Sequence, residues 1–356
     1  MNSLDFSHEY VERARSYHRP RYYLTFVRIA LSVAVLFALR ELGDAFDGAG
    51  WAGAAALWAL VVVLALDLVS FPLDVWSGFL RERRWGFLQQ GFGGWLADRA
   101  KAAGIAVALG AAAWTAVVGL GRLWPSWWVL PAACGAAVVT LFLSFVAPVV
   151  LEPLFNSFRP LEDALLAERL GSLAERAGAP VLEVLVSDAS KRTTKVNAYV
   201  SGLGASRRVV LWDTLLSAVG TPEVEVVVAH ELGHRRMRHV AKFSIVGMAL
   251  AAAIVVLLRI VIGTPQPDDL PTAVLLVLAA QAVIGPCFSA YSRRYERQAD
   301  RFALDVTGDL PAFERVMVEL AQRNLSDVQP PRLVYLLLFS HPTAPERLAL
   351  GRAAAS

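Results

Sequence analysis

Charged residues are scarce in this chain. They make up 18 % of its 356 residues, against roughly 25 % in an average soluble domain. Hydrophobic residues make up 56 %, and mean hydropathy is +0.48. That balance excludes a disordered chain and argues against a soluble enzyme. Cysteine is scarcer still: Cys134 and Cys287 both lie in apolar runs, which excludes a disulfide framework and a cysteine-based metal site. Repeats and low-complexity tracts are absent. No apolar stretch follows a short basic leader, so a cleaved secretory signal is not expected. Lys and Arg number 34 against 31 Asp and Glu, a net +3. No nucleic-acid motif accompanies that excess, and nucleic acid is not an expected partner. The basic residues flank apolar runs instead, where they suit topology and anionic headgroups of a lipid bilayer.

A bilayer core of about 30 Å takes about 20 apolar residues as a helix. Six blocks approach that length, at 22–39, 51–73, 102–121, 123–151, 243–263 and 271–292. Blocks two to four are rich in Ala and Gly, which lets helix backbones pack closely as a bundle. Lys and Arg crowd the segments before block one, between two and three, after four and after six. The alternate connections hold Arg40, Arg122 and nothing else of that charge. This alternation obeys the positive-inside rule with an even number of spans, so both termini and segment 152–242 are expected in the cytoplasm. Within the blocks, Arg28 and Arg259 are expected to snorkel or face the bundle, whereas Asp67 needs a partner or water.

Segment 152–242 reads as mixed α/β. Helical spacing over 161–177 stops at Gly178 and Pro180. Residues 181–186, 196–200 and 207–212 read as strands, with a hairpin turn at Gly202-Leu-Gly204. Thr221-Pro222-Glu223 reads as a helix start, with Thr221 as the cap. The expected fold is mainly α: a multi-pass membrane helix bundle of about six spans carrying a cytoplasmic α/β portion. Its expected parts are a four-helix membrane region at 1–151, an α/β segment at 152–242, two further spans at 243–292 and a C-terminal cytoplasmic segment at 293–356.

The helix opened at Thr221 carries His230-Glu231-Leu-Gly-His234. Two histidines four apart project from one helix face, one turn from each other. That spacing lets both share one Zn²⁺, with Glu231 placed to take a proton from the attacking water. Two incidental histidines would come without a third ligand. A third is available just after block six, where Glu296 and Asp300 share a helix face. Glu296 suits the third zinc position, and Asp300 the second ring nitrogen of a ligand, His230 by preference. His239, five residues past His234, points about 140° away on a continuous helix and is read as non-ligating. A three-histidine zinc pattern fails, since Met237 and Val240 stand where it needs Gly and His. Ser340-His341-Pro342 and Arg347 complete the motifs; a histidine or arginine outside the metal shell can stabilise an oxyanion.

These residues resemble the Ste24-type CAAX prenyl protease 1 family, integral-membrane zinc peptidases, and more distantly the HtpX-type heat-shock proteases. The resemblance runs from Pro153 to Leu350, through Asp188-Ala-Ser-Lys-Arg-Thr, Asn197-Ala-Tyr199 and Glu296-Arg-Gln-Ala-Asp300. It implies that the cytoplasmic α/β portion is a zincin-like metallopeptidase with one Zn²⁺ per chain on His230, His234 and Glu296, and with Glu231 as catalytic base. It also implies substrate or oxyanion contacts from His341 and Arg347, and an extended-substrate edge at Asn197, Ala198 and Tyr199. The implied substrate is a peptide or protein, prenylated or membrane-inserted. Eukaryotic members have seven spans and an ER-retrieval ending; six blocks here, and Gly351-Arg-Ala-Ala-Ala-Ser356, point instead to a bacterial inner-membrane peptidase, or to the ER membrane in a eukaryotic host. The rival reading is a non-enzymatic membrane scaffold or carrier with a structural zinc site, which would close the ion with four protein ligands.

Overall fold

The computed structural model describes residues 6–179, 183–201 and 208–355, and only the backbone at 146–149 and 355. Helix α1 spans His8–Arg40, with Ser7 accepting from Tyr10 N at 3.1 Å as its cap. It starts well before the first apolar block. Its polar front end runs along the catalytic part: Tyr10 Oη donates to Ala321 O at 2.7 Å, and Tyr22 Oη to Asp327 Oδ2 at 2.8 Å. Next come α2 (Gly50–Asp74), a π-helical turn over Val75–Leu80, α3 (Arg81–Arg84), α4 (Phe92–Leu123) and α5 (Val129–Val150).

Among the described residues, five helices are long and apolar enough to cross a membrane; the part of α5 at Val129–Phe145 is a shorter apolar helix within the fourth block. Ala55 and Ala59 of α2 are fully buried, as close packing against α4 by small residues requires. Arg28 and Asp67, two of the charges inside the blocks, find partners within the bundle. Asp74 accepts from both Arg28 and Arg99, and Arg99 Nη2 donates to Asp67 Oδ1 at 2.6 Å.

The α/β part contains β1 (Phe158–Pro160), α6 (Ala164–Arg176), β2 (Glu183–Ser187), β3 (Ala198–Ser201) and β4 (Arg208–Trp212). The strand order is β1-β2-β4-β3. β2 and β4 run parallel, whereas β1 and β3 pair antiparallel on the outside. The expected turn at 202–204, and residues 180–182 around the start of β2, lie outside the described residues. α6 begins three residues later than its spacing suggests. Asp163 caps it, accepting from Leu166 N at 2.9 Å, while Leu161 N donates to Val184 O and belongs to the sheet.

Then follow α7 (Asp213–Ala218), α8 (Thr221–Arg236), α9 (His239–Ile262), α10 (Leu270–Thr307), α11 (Leu310–Asn324), α12 (Arg332–Leu338) and α13 (Ala344–Ala355). Gly220 rather than Thr221 caps α8, so Thr221 is its first helical residue. One core joins Leu170 and Leu173 of α6, Val209 and Leu211 of β4, Val228 and Leu232 of α8, and Phe313 and Val316 of α11. A separate cluster around Trp114, Trp128 and Leu258 packs within the bundle. α10 is continuous from the last apolar block to Thr307, with Pro286 inside it, so one helix links a membrane span to the α/β part.

Candidate active site

α8 lies inside the core, which is why a run of valines is helical here. Val224, Val226, Val228 and Ala229 are buried against the sheet and α11, and that burial outweighs the modest helix penalty of β-branched residues. Glu223 sits in the first turn, favourable to the helix dipole. α10 crosses α8 at Gly233. A Cβ there would stand 3.0 Å from Phe302 Cδ1 and 3.3 Å from Ala299 Cα. A side chain there would be tight enough that a neighbour had to shift by a few tenths of an ångström, and the close approach brings Glu296 and Asp300 to the two histidines.

The donor atoms form a small triangle. His230 Nε2 and His234 Nε2 are 3.1 Å apart; His230 Nε2 lies 3.3 Å from Glu296 Oε2 and His234 Nε2 3.3 Å from Glu296 Oε1, so one ligand atom from each residue falls within 4.8 Å of the other two. A tetrahedral Zn²⁺ at about 2.0–2.1 Å from its ligands sets donor separations of about 3.3–3.4 Å. Donor types and spacing therefore fit the ion. Among the described residues this is the cluster of three or more such donors able to hold a metal.

Each histidine is oriented from behind. His230 Nδ1 meets Asp300 Oδ1 at 2.9 Å. Asp300 is fully buried, and Arg347 holds it through Nε to Oδ2 at 2.8 Å and through Nη2 to Oδ1. His234 Nδ1 meets His239 Nδ1 at 3.0 Å, and His239 Nε2 meets Gln298 Oε1 at 3.0 Å. Thus His239 does not point away from His234. The helix is interrupted at Arg238, whose φ of +56° is left-handed, and His239 starts a new helix with its ring against His234. It also stacks on Tyr295, with ring centroids 4.0 Å apart. Sequence spacing missed this partner because it assumed one continuous helix; the break itself carries no glycine to announce it.

Glu231 lines a cavity of about 720 Å³ with His230, His234, Glu296, His341 and Arg347. Burial raises its carboxyl above the usual range, partly opposed by the two imidazoles. His230 shows the opposite balance. Burial disfavours its charge, yet hydrogen bonds to Asp300 and Glu296 hold the metal-free imidazole up at about 9. His341 Nε2 stands 3.4 Å from Glu296 Oε1, with its side chain largely exposed to the cavity. Asn197, Ala198 and Tyr199 line the same cavity. Tyr199 Oη donates to Glu152 Oε2 at 2.7 Å, which ties β3 to the segment after α5.

The sequence profile of Peptidase family M48 matches residues 160–353, and that of the CAAX prenyl protease N-terminal region, described as five membrane helices, matches residues 4–157. The chain belongs to peptidase family M48. This M48 peptidase is 30 % identical to an uncharacterized metalloprotease of Bacillus subtilis, over 94 % of this chain and 84 % of that one. It is also 30 % identical to CAAX prenyl protease 1 of Saccharomyces cerevisiae, over 79 % of this chain and 68 % of the yeast protein. The crystal structure of S. mikatae Ste24p superposes with a TM-score of 0.79 at 26 % identity, covering 97 % of this chain and 89 % of that one. The M48 peptidase is thus a multi-pass membrane metalloprotease that acts on peptide or protein substrates, as its motifs and apolar blocks led one to expect.

Proposed function

We propose that this integral-membrane metalloendopeptidase holds one zinc ion on His230, His234 and Glu296, and that Glu231 is its general base. The observation that carries the reading is the donor triangle with Glu231 on its rim. Bound there, zinc supplies Lewis acidity that polarises the scissile carbonyl and acidifies the attacking water. Glu231 accepts that water's proton and returns it to the leaving amine. His341, at the cavity wall, donates to the developing oxyanion. Arg347 acts through Asp300, whose carboxylate fixes the His230 ring so that Nε2 faces the ion. Three protein donors leave a tetrahedral ion one open corner, which disfavours a purely structural site.

The substrate lies extended along β3, at Asn197, Ala198 and Tyr199, where backbone pairing gives affinity with little sequence reading. The division into 1–151, 152–242, 243–292 and 293–356 then separates membrane from cytoplasmic parts, with both termini and the site in the cytoplasm of a bacterial cell. The basic residues flanking alternate blocks support that orientation. A chelated and zinc-restored peptidase assay on detergent-purified protein tests the chemistry; activity that survives complete chelation would sink it. Running one peptide with and without a farnesyl group decides whether prenylation matters. Equal rates would place the enzyme in general membrane-protein processing, and a strong farnesyl preference in CAAX-type processing.

A further inference from the structure

Among the described residues β3 is an edge strand, bonded on one side to β4. Successive residues of an antiparallel strand turn their N–H and C=O alternately to opposite sides. Trp212 N donates to Asn197 O at 3.1 Å, so Asn197 faces β4. Val196, Ala198 and Val200 therefore face the open edge. Ala198 N donates to Asn197 Oδ1 at 2.9 Å, a local bond that a peptide carbonyl would replace.

The first outward position is already taken. Asn324 Oδ1 accepts from Val196 N at 2.9 Å, and Asn324 Nδ2 donates to Val196 O at 3.1 Å. One side-chain amide thus reproduces the two-bond pairing that a neighbouring strand residue makes. Both partners are firmly held. Asn324 ends α11 and precedes Leu325, which is buried beside Tyr17 and Phe87 with φ of +48°. The α1 side chains Tyr10 and His18 grip this corner, Tyr10 Oη bonding Ser326 O at 2.9 Å and His18 Nε2 bonding Leu325 O at 2.8 Å. On the other side, Lys195 Nζ donates to Glu82 Oε2 and Tyr17 Oη, each at 2.8 Å.

We propose that Asn324 is a specificity-determining residue that closes the substrate edge at Val196 and leaves Ala198 and Val200 as its outward pairing positions. This rests on the reading that peptides pair with β3. An antiparallel peptide, the more stable arrangement, runs opposite to β3, so its C-terminal end travels towards Val196 and meets the amide. There the peptide must leave the strand edge and turn towards the cavity wall formed by His18, Tyr22 and Asp327. The polar front of α1 thereby gains a purpose: it anchors the stop.

The test is a backbone N-methyl scan of whichever peptide, farnesylated or unmodified, the full-length zinc-loaded enzyme cleaves. In the native enzyme, methylation opposite Ala198 or Val200 lowers kcat/KM about tenfold, the loss of one backbone hydrogen bond. Methylation two residues further towards the C-terminus is neutral. In Asn324→Ala, that third position becomes sensitive by a similar factor. A structural role for Asn324 would lower all rates without creating a new sensitive position. Sensitivity at the third position in native enzyme, or identical scans for both proteins, overturns the proposal. The native scan decides alone if Asn324→Ala folds poorly. If cleavage proceeds and methylation matters nowhere, the pairing reading and this proposal fall together while the zinc chemistry stands.

Discussion

Gly233 of α8 faces Ala299 of α10 so closely that a Cβ on Gly233 would stand 3.3 Å from the Ala299 Cα, tighter than an ordinary contact. The metal site depends on this contact, since Glu296 lies one turn before Ala299 on the same helix and Asp300 directly after it.

Widening that crossing should cost metal before it costs the fold. Gly233→Ala forces backbone or Phe302 to shift, an overpacking penalty of about 1–3 kcal/mol. The expected result is a folded protein whose zinc affinity, read by competition with a chelator, falls about tenfold or more. Native affinity in Gly233→Ala would show that α10 is placed by other contacts.

Metal binding and catalysis should separate at adjacent residues. Glu231→Gln keeps all three donors and should retain zinc, yet lose about 10²–10⁴-fold in kcat. His230→Ala should lose both zinc and activity. Metal content by mass spectrometry beside initial rates checks this pair; substantial turnover in Glu231→Gln would remove it as the base.

Asp300 is fully buried between His230 and Arg347. Removing its carboxylate frees the His230 ring and should weaken zinc about 10–100-fold. Arg347→Ala leaves Asp300 buried without its main counter-charge and should destabilise the protein by about 3–5 kcal/mol. In Asp300→Asn the same Arg347→Ala change should cost much less, so a thermal double-mutant cycle reads the coupling. Additive effects would mean that Arg347 does not act through Asp300.

Zinc affinity should rise with pH. In the metal-free protein His230 is raised from 6.5 to about 9, so its proton stabilises the apoprotein fully below about pH 6.5. That contribution disappears as pH climbs through about 9. A ligand imidazole must be neutral, so proton and metal compete, and affinity should gain up to about tenfold per pH unit across this window. Calorimetry at pH 7 in two buffers of different ionisation enthalpy should show proton release on binding. A flat profile between pH 6.5 and 9 would contradict the hydrogen-bonded state of His230.

Much of this site was legible before any coordinates. His230 and His234 share a face because four residues turn a helix by about 400°, and Glu231 follows from the same periodicity. Glu296 and Asp300 obey the same rule on α10. Other features were hidden because they depend on contacts distant in the chain. His239 stays outside the donor set, as its spacing suggests, but its contact with His234 escapes helical periodicity because the left-handed residue before it is an arginine. Asn324 carries no motif, and its partner Val196 lies 128 residues away. The cap of α8 was misplaced by one residue, because Thr221 and Gly220 both fit a helix start and only backbone geometry separates them.

By itself, then, the order of residues determined the membrane-embedded class, the apolar blocks and the identity of the metal-competent side chains. Those properties follow from composition and from helical periodicity, which act locally. Only the tertiary structure decided that His230, His234 and Glu296, from two helices, bring ligand atoms within 4.8 Å of one another, and which backbone positions of β3 face away from β4. Such distances are set by how closely α8 and α10 cross at Gly233 and by what packs against a strand's edge, and neither is encoded in the spacing along one element.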